Sequence, residues 1–341
     1  MQKVFAPRTI ERGNFMNIAV WVGGRANYGR LYSVIMELMH VPDINVKIYG
    51  AKIPYSAFDI EEVEIAETLS KSMYGVMRVM DNHFYYQKPD IALVHGDRAD
   101  TCGFGLAAAF HEIPLIQLEA GDTTEGIDQK MRYLLSSVAD YLVAFTPKSF
   151  YNLGRFNKNK TLIGSPVFDT INTYWIKEYP KKRDTCLILF NPDPEPLNQT
   201  FESIVYKIRQ NGLIPVWICP NGDNGSNAIK QRAEESGAVV RKTLPLVEYL
   251  ELVYNSVIVI GNTSSGIREA CMLDTPFLPI GKRQSERETG GNIIKATEID
   301  WGNLKKLKPV PYKNEFGGVG SAKKIVEYIY ETVWQNALGG K

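Results

Sequence analysis

Cysteine and histidine are scarce and scattered. The four cysteines (Cys102, Cys186, Cys219, Cys271) form no Cys-x-x-Cys pair, so neither a disulfide scaffold nor a zinc ribbon is expected, and four free thiols suit a reducing cytosol. The four histidines (His40, His83, His95, His111) are equally dispersed, so no metal site is expected, and no cofactor is called for. No apolar run approaches the roughly 18–20 residues that cross a bilayer. The segment Met1–Met16 lacks the apolar stretch of a signal peptide. Net charge is also nearly absent. The 39 Lys and Arg against 38 Asp and Glu leave +1, which gives no global pull toward nucleic acid or anionic lipid. A cytoplasmic protein that is not membrane-bound is expected.

What is present reads as globular. At about 150 residues per domain, a chain of 341 residues predicts two domains. Apolar residues at 44% and charged residues at 23% lie near the soluble average. Short β-branched runs alternate with longer helical stretches. Strands are expected at Asn17–Val22, Asn45–Tyr49, Ile91–His95, Pro114–Leu118, Tyr141–Phe145 and Thr161–Ile163. After a charged, proline-containing stretch, Asp169–Asp184, the rhythm restarts with strands at Cys186–Phe190, Ile214–Cys219, Val239–Arg241, Val257–Ile260 and Pro276–Ile280. Helices are expected near Gln199–Arg209, Ala228–Ser236, Leu246–Tyr254 and Gly266–Leu273. Such alternation implies βαβ units and parallel sheets. Its repetition predicts two doubly wound α/β domains joined by a linker at Asp169–Asp184. A last helix, about Ser321–Leu338, places Ile325, Ile329, Val333 and Trp334 on one face.

Parallel sheets bind ligands beyond the carboxyl ends of their strands, and five unusual stretches lie there. Gly23-Gly24-Arg25-Ala26-Asn27-Tyr28-Gly29-Arg30 follows the first strand and opens a helix; it suits an anion at a helix N-terminus or an ordinary turn. His95-Gly96-Asp97-Arg98-Ala99-Asp100 offers a carboxylate for acid–base work or a helix cap. Glu119 to Asp128 carries four carboxylates, which suits either tuned acid–base groups or a solvated loop. Asp128 and Arg132, at i and i+4, can pair on one helix face. Asn262-Thr263-Ser264-Ser265-Gly266-Ile267-Arg268-Glu269 combines small hydroxyl residues and glycine at a helix start, as a pyrophosphate cradle or as a cap. Gly281 to Asn292 supplies Lys282, Arg283 and Arg287 for a diphosphate and Glu288 for a sugar hydroxyl, or is a solvated charged face.

Together these stretches resemble the UDP-N-acetylglucosamine 2-epimerase family, most closely its hydrolysing, sialic-acid-pathway branch, from about Asn17 to Ala296. Arg25-Ala26-Asn27-Tyr28 resembles the family's Arg-Ala-Asp-Tyr, and His95-Gly96-Asp97-Arg98 its His-Gly-Asp-Arg. Gly164-Ser165-Pro166 resembles its Gly-x-Pro turn. Gly261 to Glu269 and Gly281 to Gly290 are nearly its signature. The resemblance implies a GT-B architecture: residues 1–168 on the sugar side, residues 185–318 on the UDP side, and residues 319–341 packing back on the first domain. The implied reaction removes the C2 proton with loss of UDP, then adds water to the glycal. Asp97, Glu119 and Asp128 map onto the three catalytic carboxylates, with the nine-residue step between the last two kept. Arg132 maps onto an active-site arginine.

Contacts to the UDP-sugar are expected from Arg25, Ala26, Gly29 and Asn191, and from Asn262, Ser264, Ser265, Gly266, Arg268, Arg283 and Glu288. A homo-oligomer, dimer or tetramer, is implied as well. The chain departs from the family at three histidines. Asn191-Pro192 stands for His-Pro, Gln117-Leu118-Glu119-Ala120-Gly121-Asp122 for His-x-x-Gly-Gly-Glu, and Arg132-Tyr133 for Arg-His. Asparagine hydrogen-bonds but transfers no proton, so a GT-B glycosyltransferase with a sugar, lipid-carrier or nucleic-acid acceptor is the alternative.

Overall fold

The computed structural model describes residues 15–64, 69–124, 126–174, 176–192, 201–220 and 225–335. Its first sheet contains β1 (Met16–Val22), β2 (Ile44–Gly50), β3 (Glu61–Glu62), β4 (Ile91–His95), β5 (Leu115–Leu118), β6 (Tyr141–Ala144) and β7 (Asn159–Leu162), in the order β3-β2-β1-β4-β5-β6-β7. The second contains β8 (Thr185–Leu189), β9 (Ile214–Ile218), β10 (Val239–Arg241), β11 (Ser256–Gly261) and β12 (Phe277–Pro279), in the order β10-β9-β8-β11-β12. Every pairing is parallel.

Strand β1 shows why the near-continuous apolar runs become buried parallel strands. Its Ile18, Val20 and Val22 enter one core and its Ala19 and Trp21 enter the other. Helix α1 (Arg25–Met39) covers the first of these cores with Leu31, Val34, Ile35 and Leu38. Helices α2 (Leu69–Tyr86) and α3 (Ala99–Phe110) cover the second. Helix α4 (Gly126–Val138) follows β5, and α5 (Pro147–Asn152) follows β6.

In the second sheet Leu187 and Leu189 face α6 (Val167–Thr173) and α9 (Leu246–Asn255), while Cys186 and Ile188 face α7 (Phe201–Gln210). Helix α8 (Ser226–Glu235) lies between β9 and β10. The strand order reverses at β1/β4 in one sheet and at β8/β11 in the other, the switch points where such sheets take ligands. The loops there begin at Gly23, Gly96, Phe190 and Asn262, which places three of the five unusual sequence stretches at the two switch points, and the other two follow the neighbouring strands β5 and β12.

Four features differ from the sequence reading. Helix α2 and the two-residue β3 were not anticipated. Val76, Met80 and Phe84 of α2 are buried, but exposed Tyr74, Tyr85 and Tyr86 interrupt the apolar stripe. The segment read as a linker is largely ordered. Val167 and Ile171, one turn apart on α6, and Ile176 in the short 3-10 helix Ile176–Glu178 are buried with Leu250 and Val253 of the second sheet's core. The expected helix over Gly266–Leu273 is two short helices, α10 (Ser264–Ile267) and α11 (Glu269–Met272), broken at Arg268. The last helix is α12 (Ser321–Tyr328) continued as a π-helical turn, Ile329–Trp334; Leu338 lies outside the described residues. Ile325, Ile329 and Val333 pack in the core beneath α1.

The chain leaves the first sheet and returns to it at one place. Ser165 donates its main-chain N–H to the Phe316 carbonyl at 2.7 Å. Gly164 and Gly317 have positive φ, and a Cβ on Gly164 would sit 3.0 Å from the Gly317 Cα. The Asp169 carboxylate then accepts the N–H groups of Gly320 (2.5 Å) and Ala322 (2.8 Å) at the start of α12. Asp169→Ala leaves these donors without their acceptor. It is expected to lower stability by about 1–3 kcal/mol in chemical denaturation, with a smaller loss for Asp169→Asn, which keeps one oxygen acceptor.

Candidate active site

The amino-terminal turn of α1 faces the carboxyl ends of β8, β9 and β11 across a cavity of about 170 Å³. Arg25, Ala26, Gly29, Asn191, Ser264 and Ser265, all expected ligand contacts, line it, together with Arg30, Tyr249 and Glu269. Arg25 reaches over to the second sheet and donates to the carbonyls of Lys242 (2.9 Å) and Cys219 (3.3 Å). Burial lowers its pKa, with the Cys219 and Tyr249 groups opposing. The Tyr249 and Ser265 hydroxyls are hydrogen-bonded to each other. Thr263 caps α10, its hydroxyl accepting the Ser265 N–H.

The other expected contacts surround this cavity. The Asn262 side chain pairs with both main-chain groups of Asn191, at 2.7 and 2.9 Å, and so fixes the loop after β8. Gly266 is explained by packing, since a Cβ there would lie 2.3 Å from the Phe277 ring. Gly23 is explained likewise, by the Asp100 carboxylate 1.9 Å from its would-be Cβ. Asp100 itself is occupied by Trp21 Nε1 (2.9 Å) and Arg98 Nε (2.8 Å). Arg283 donates to the Pro192 carbonyl at 2.9 Å and lies 3.8 Å from Asp128. One Glu288 carboxylate oxygen is buried without a hydrogen-bond partner among the described residues.

The carboxylates gather at the ends of β4 and β5. Arg132 joins two of the positions. It pairs with the Asp97 carboxylate and donates to the Glu119 main-chain carbonyl at 2.5 Å. The Glu119 carboxylate accepts from Arg30 at 2.8 Å and lies 3.2 Å from His95 Nε2 and 3.5 Å from Arg268 Nε. Asp128, one turn before Arg132 on α4, faces Arg283 of the second sheet. The i,i+4 spacing therefore stacks Asp128 and Arg132, while the ion pairs observed are Arg132–Asp97 and Asp128–Arg283.

Arg30 was not anticipated as a site residue. From within α1 it reaches Glu119, Ser264 (3.0 Å) and Glu269 (3.4 Å). Asp122 and Arg287 were missed as partners too, 3.1 Å apart. A lone arginine inside a helix carries no local signature, and a loop carboxylate does not announce its counter-ion. His95 is oriented by Asn27. The Asn27 amide donates to the His95 carbonyl (3.0 Å) and lies 3.2 Å from Nδ1, which makes Nδ1 the acceptor and sets the ring proton on Nε2, toward Glu119.

The model of the UDP-N-acetylglucosamine 2-epimerase family matches residues 33–329. The chain belongs to that family. A hydrolysing UDP-N,N'-diacetylbacillosamine 2-epimerase from Legionella pneumophila is 24% identical over 315 residues, spanning 80% of this chain and 82% of that protein. The UDP-N-acetylglucosamine 2-epimerase of Neisseria meningitidis is 22% identical over 80% of this chain and 81% of its own length. The solved structure of a Neisseria meningitidis UDP-GlcNAc 2-epimerase bound to UDP-GlcNAc superposes with a TM-score of 0.74 at 18% identity, over 93% of this chain and all of that one. A Methanocaldococcus jannaschii UDP-GlcNAc 2-epimerase in complex with UDP-GlcNAc and UDP gives 0.73 at 18% identity, with 93% and 100% coverage.

The epimerase-family chain thus has the GT-B-like arrangement of two parallel α/β sheets with a cleft between them. These matches do not favour the glycosyltransferase alternative, nor the nucleic-acid acceptor that went with it. No helix among the described residues is long and apolar enough to cross a membrane. No group of three or more His, Cys, Asp or Glu among them is placed to hold a metal.

The electrostatics of this epimerase-family site are dominated by burial opposed by arginine. Burial disfavours the Glu119 anion, but Arg30, His95 and Arg268 outweigh it and hold the carboxyl well below its ordinary value. Asp122 is buried too, and Arg287, Arg268 and Arg132 lower its pKa. Burial pulls Arg132 down, and Asp97, Asp122 and Glu119 raise it.

Both depressed carboxylates favour the fold fully above their unfolded values of 4.5 and 3.8. That support drains as pH falls through this range toward the lower folded values. Melting temperature is therefore expected to hold between pH 8 and 6 and to fall on acidification below about 4.5. Glu119→Gln, which strands the buried Arg30 and Arg268 guanidinium groups, is expected to cost about 3–5 kcal/mol at neutral pH and to flatten the acid limb. A variant as stable and as acid-sensitive as wild type contradicts the assignment.

Proposed function

We propose that the protein is a cytoplasmic, homo-oligomeric, hydrolysing 2-epimerase that converts UDP-N-acetylglucosamine to UDP and N-acetylmannosamine. Residues 1–168 supply the acid–base side, residues 185–318 the UDP side, and residues 319–341 pack back on the first. The observation carrying this reading is the cleft itself. An Arg- and hydroxyl-lined cavity of about 170 Å³ is joined through Arg30 to a carboxylate cluster built by Arg132. Relatives named hydrolysing support the same class.

The chemistry follows from the charges. A C2 proton with no carbonyl beside it is very weakly acidic, so its removal must accompany departure of the diphosphate. The C1–O bond breaks with its electron pair going to UDP, the C2 proton passes to a carboxylate, and the C1–C2 double bond forms. Arg25, Ser264 and Ser265 would hold the leaving diphosphate, with Arg268 and Arg283 nearby. Asp97 would be the carboxylate that takes the proton. Its side chain is 17% exposed and paired with Arg132 alone among the ion pairs. Glu119, 4% exposed and held by Arg30 and Arg268 beside His95, is an anion in the unliganded cleft and would stabilise positive charge at C1.

Glu119 gains proton affinity only when a diphosphate draws Arg268 or Arg30 away from it. That would bring it into the reprotonation step at substrate binding. Asp128 would orient the sugar or the water that adds. Ala26, Gly29 and Asn191 shape the cavity wall, Asn262 and Gly266 fix its loops, and the Glu288 carboxylate oxygen that has no partner among the described residues would take a ligand hydroxyl.

Incubation with UDP-N-acetylglucosamine in deuterated water is expected to release UDP and N-acetylmannosamine carrying deuterium at C2. Intact substrate, or N-acetylglucosamine without label, overturns the reading. UDP-N,N'-diacetylbacillosamine run in parallel separates the two sugars carried by the relatives. Asp97→Asn is expected to slow turnover by about 10²–10⁴-fold, and unchanged turnover removes Asp97 from the mechanism.

A further inference from the structure

Asp122 lies outside the three carboxylates that the resemblance maps as catalytic and outside the cavity wall, yet it is 2% exposed and has two buried guanidinium groups for partners. Its Oδ2 is 3.1 Å from Arg268 Nη2 and 3.1 Å from Arg287 Nη1. Oδ1 accepts the main-chain N–H of Thr123 at 2.9 Å, which fixes the carboxylate's rotation. The two arginines come from separate parts of the second sheet's half, one at the break between α10 and α11 and one in the loop after β12. The adjacent Thr123 hydroxyl donates to the Glu286 carbonyl of that same loop at 2.6 Å, and Lys148 Nζ reaches it at 3.2 Å.

We propose that Asp122 is a positioning residue of the epimerase reaction, clamping Arg268 and Arg287 so that the loop over residues 281–290 closes against the acidic loop. The clamp sets two relationships that the proposed chemistry uses. Arg287 holds the loop that carries Arg283 opposite Asp128. Asp122 also shares Arg268 with Glu119, so it decides how much of that guanidinium's charge Glu119 feels.

Without the carboxylate, two buried guanidinium groups lose a counter-ion, a penalty the closed arrangement alone bears. An open cleft, with both groups in water, is then favoured. Asp122 is not among the residues lining the nucleotide cavity, whose wall is formed by Arg25, Ser264 and Ser265, so its loss weighs less on initial binding than on closure. The loss falls on the reacting geometry, where small misplacements are costly. The catalytic half of this role rests on the epimerase reading; the closure half does not.

The test uses the full chain with Asp122→Asn, Asp122→Glu, Arg287→Gln and the double variant Asp122→Asn/Arg287→Gln. Steady-state UDP release and amide hydrogen exchange over residues 281–290 are the two readouts. Asp122→Asn and Arg287→Gln are each expected to lower kcat by up to about 10²-fold with KM nearly unchanged, and to raise loop exchange. Asp122→Glu recovers most of the kcat. The double variant falls no further than the worse single one, as residues acting as a unit do.

Multiplicative losses, a raised KM at wild-type kcat, or unchanged loop exchange in both single variants overturns the clamp. Should Asp122→Asn fail to fold, Arg287→Gln alone carries the same kcat and exchange criteria. If the wild-type chain releases no UDP, the functional reading fails, while the exchange result still decides the closure.

Discussion

One buried arginine ties the two sheets together at their chemically active ends. Arg30 leaves the middle of α1 and meets Glu119 of the first sheet's half and Ser264 and Glu269 of the second. A guanidinium removed from water is tolerated only where anions and acceptors replace its hydration, and here they come from both sides of the cleft. The position of α1 relative to α10 and α11 is therefore coupled to its ion pairs with Glu119 and Glu269. Burial pulls the Arg30 pKa down, but Glu119 and Glu269 more than restore it. The cation is thus permanent and the geometry can be built around it.

The same logic runs through the rest of the cleft. Cross-cleft contacts near the carboxylates pair Asp122 and Asp128 on one side with Arg268, Arg283 and Arg287 on the other. Interfaces between domains that move are more polar than cores, and ion pairs can be exchanged for water or for ligand charge in a way apolar packing cannot. By contrast, each sheet carries its own apolar cores on its two faces. Stability resides within each sheet, and responsiveness resides between them.

Much of this was legible in the chain. Apolar strands such as Ile91–His95 are fully buried, and the unusual residues sit at strand ends because parallel sheets leave only those loops free for ligands. Asp97, Glu119, Asp128 and Arg132 are brought to one side of the cleft by β4, β5 and α4. The partners were not legible. Arg30 is separated from Glu269 by 239 residues and from Glu119 by 89, and such pairings are properties of the folded chain alone. Gly266 read as a ligand glycine and Gly23 as part of an anion-binding or ordinary turn; each also makes room for a neighbour, Phe277 or Asp100, that no local pattern announces. The charged stretch from Asp169 read as a tether, because only one turn of apolar spacing, Val167 and Ile171, enters it before polar residues take over, and Ile176 lies in a separate short helix.

The contact of Gly164 with Gly317 has a mechanical meaning. Both passages of the chain between the sheets run through this point, side by side and hydrogen-bonded. Two bodies joined at a single pivot can swing but cannot slide apart. Groups near the axle move little in such a swing, and the far rim of the cleft travels most. Side chains larger than hydrogen at either glycine would jam the axle itself, leaving the walls of the cleft intact but fixed in one pose.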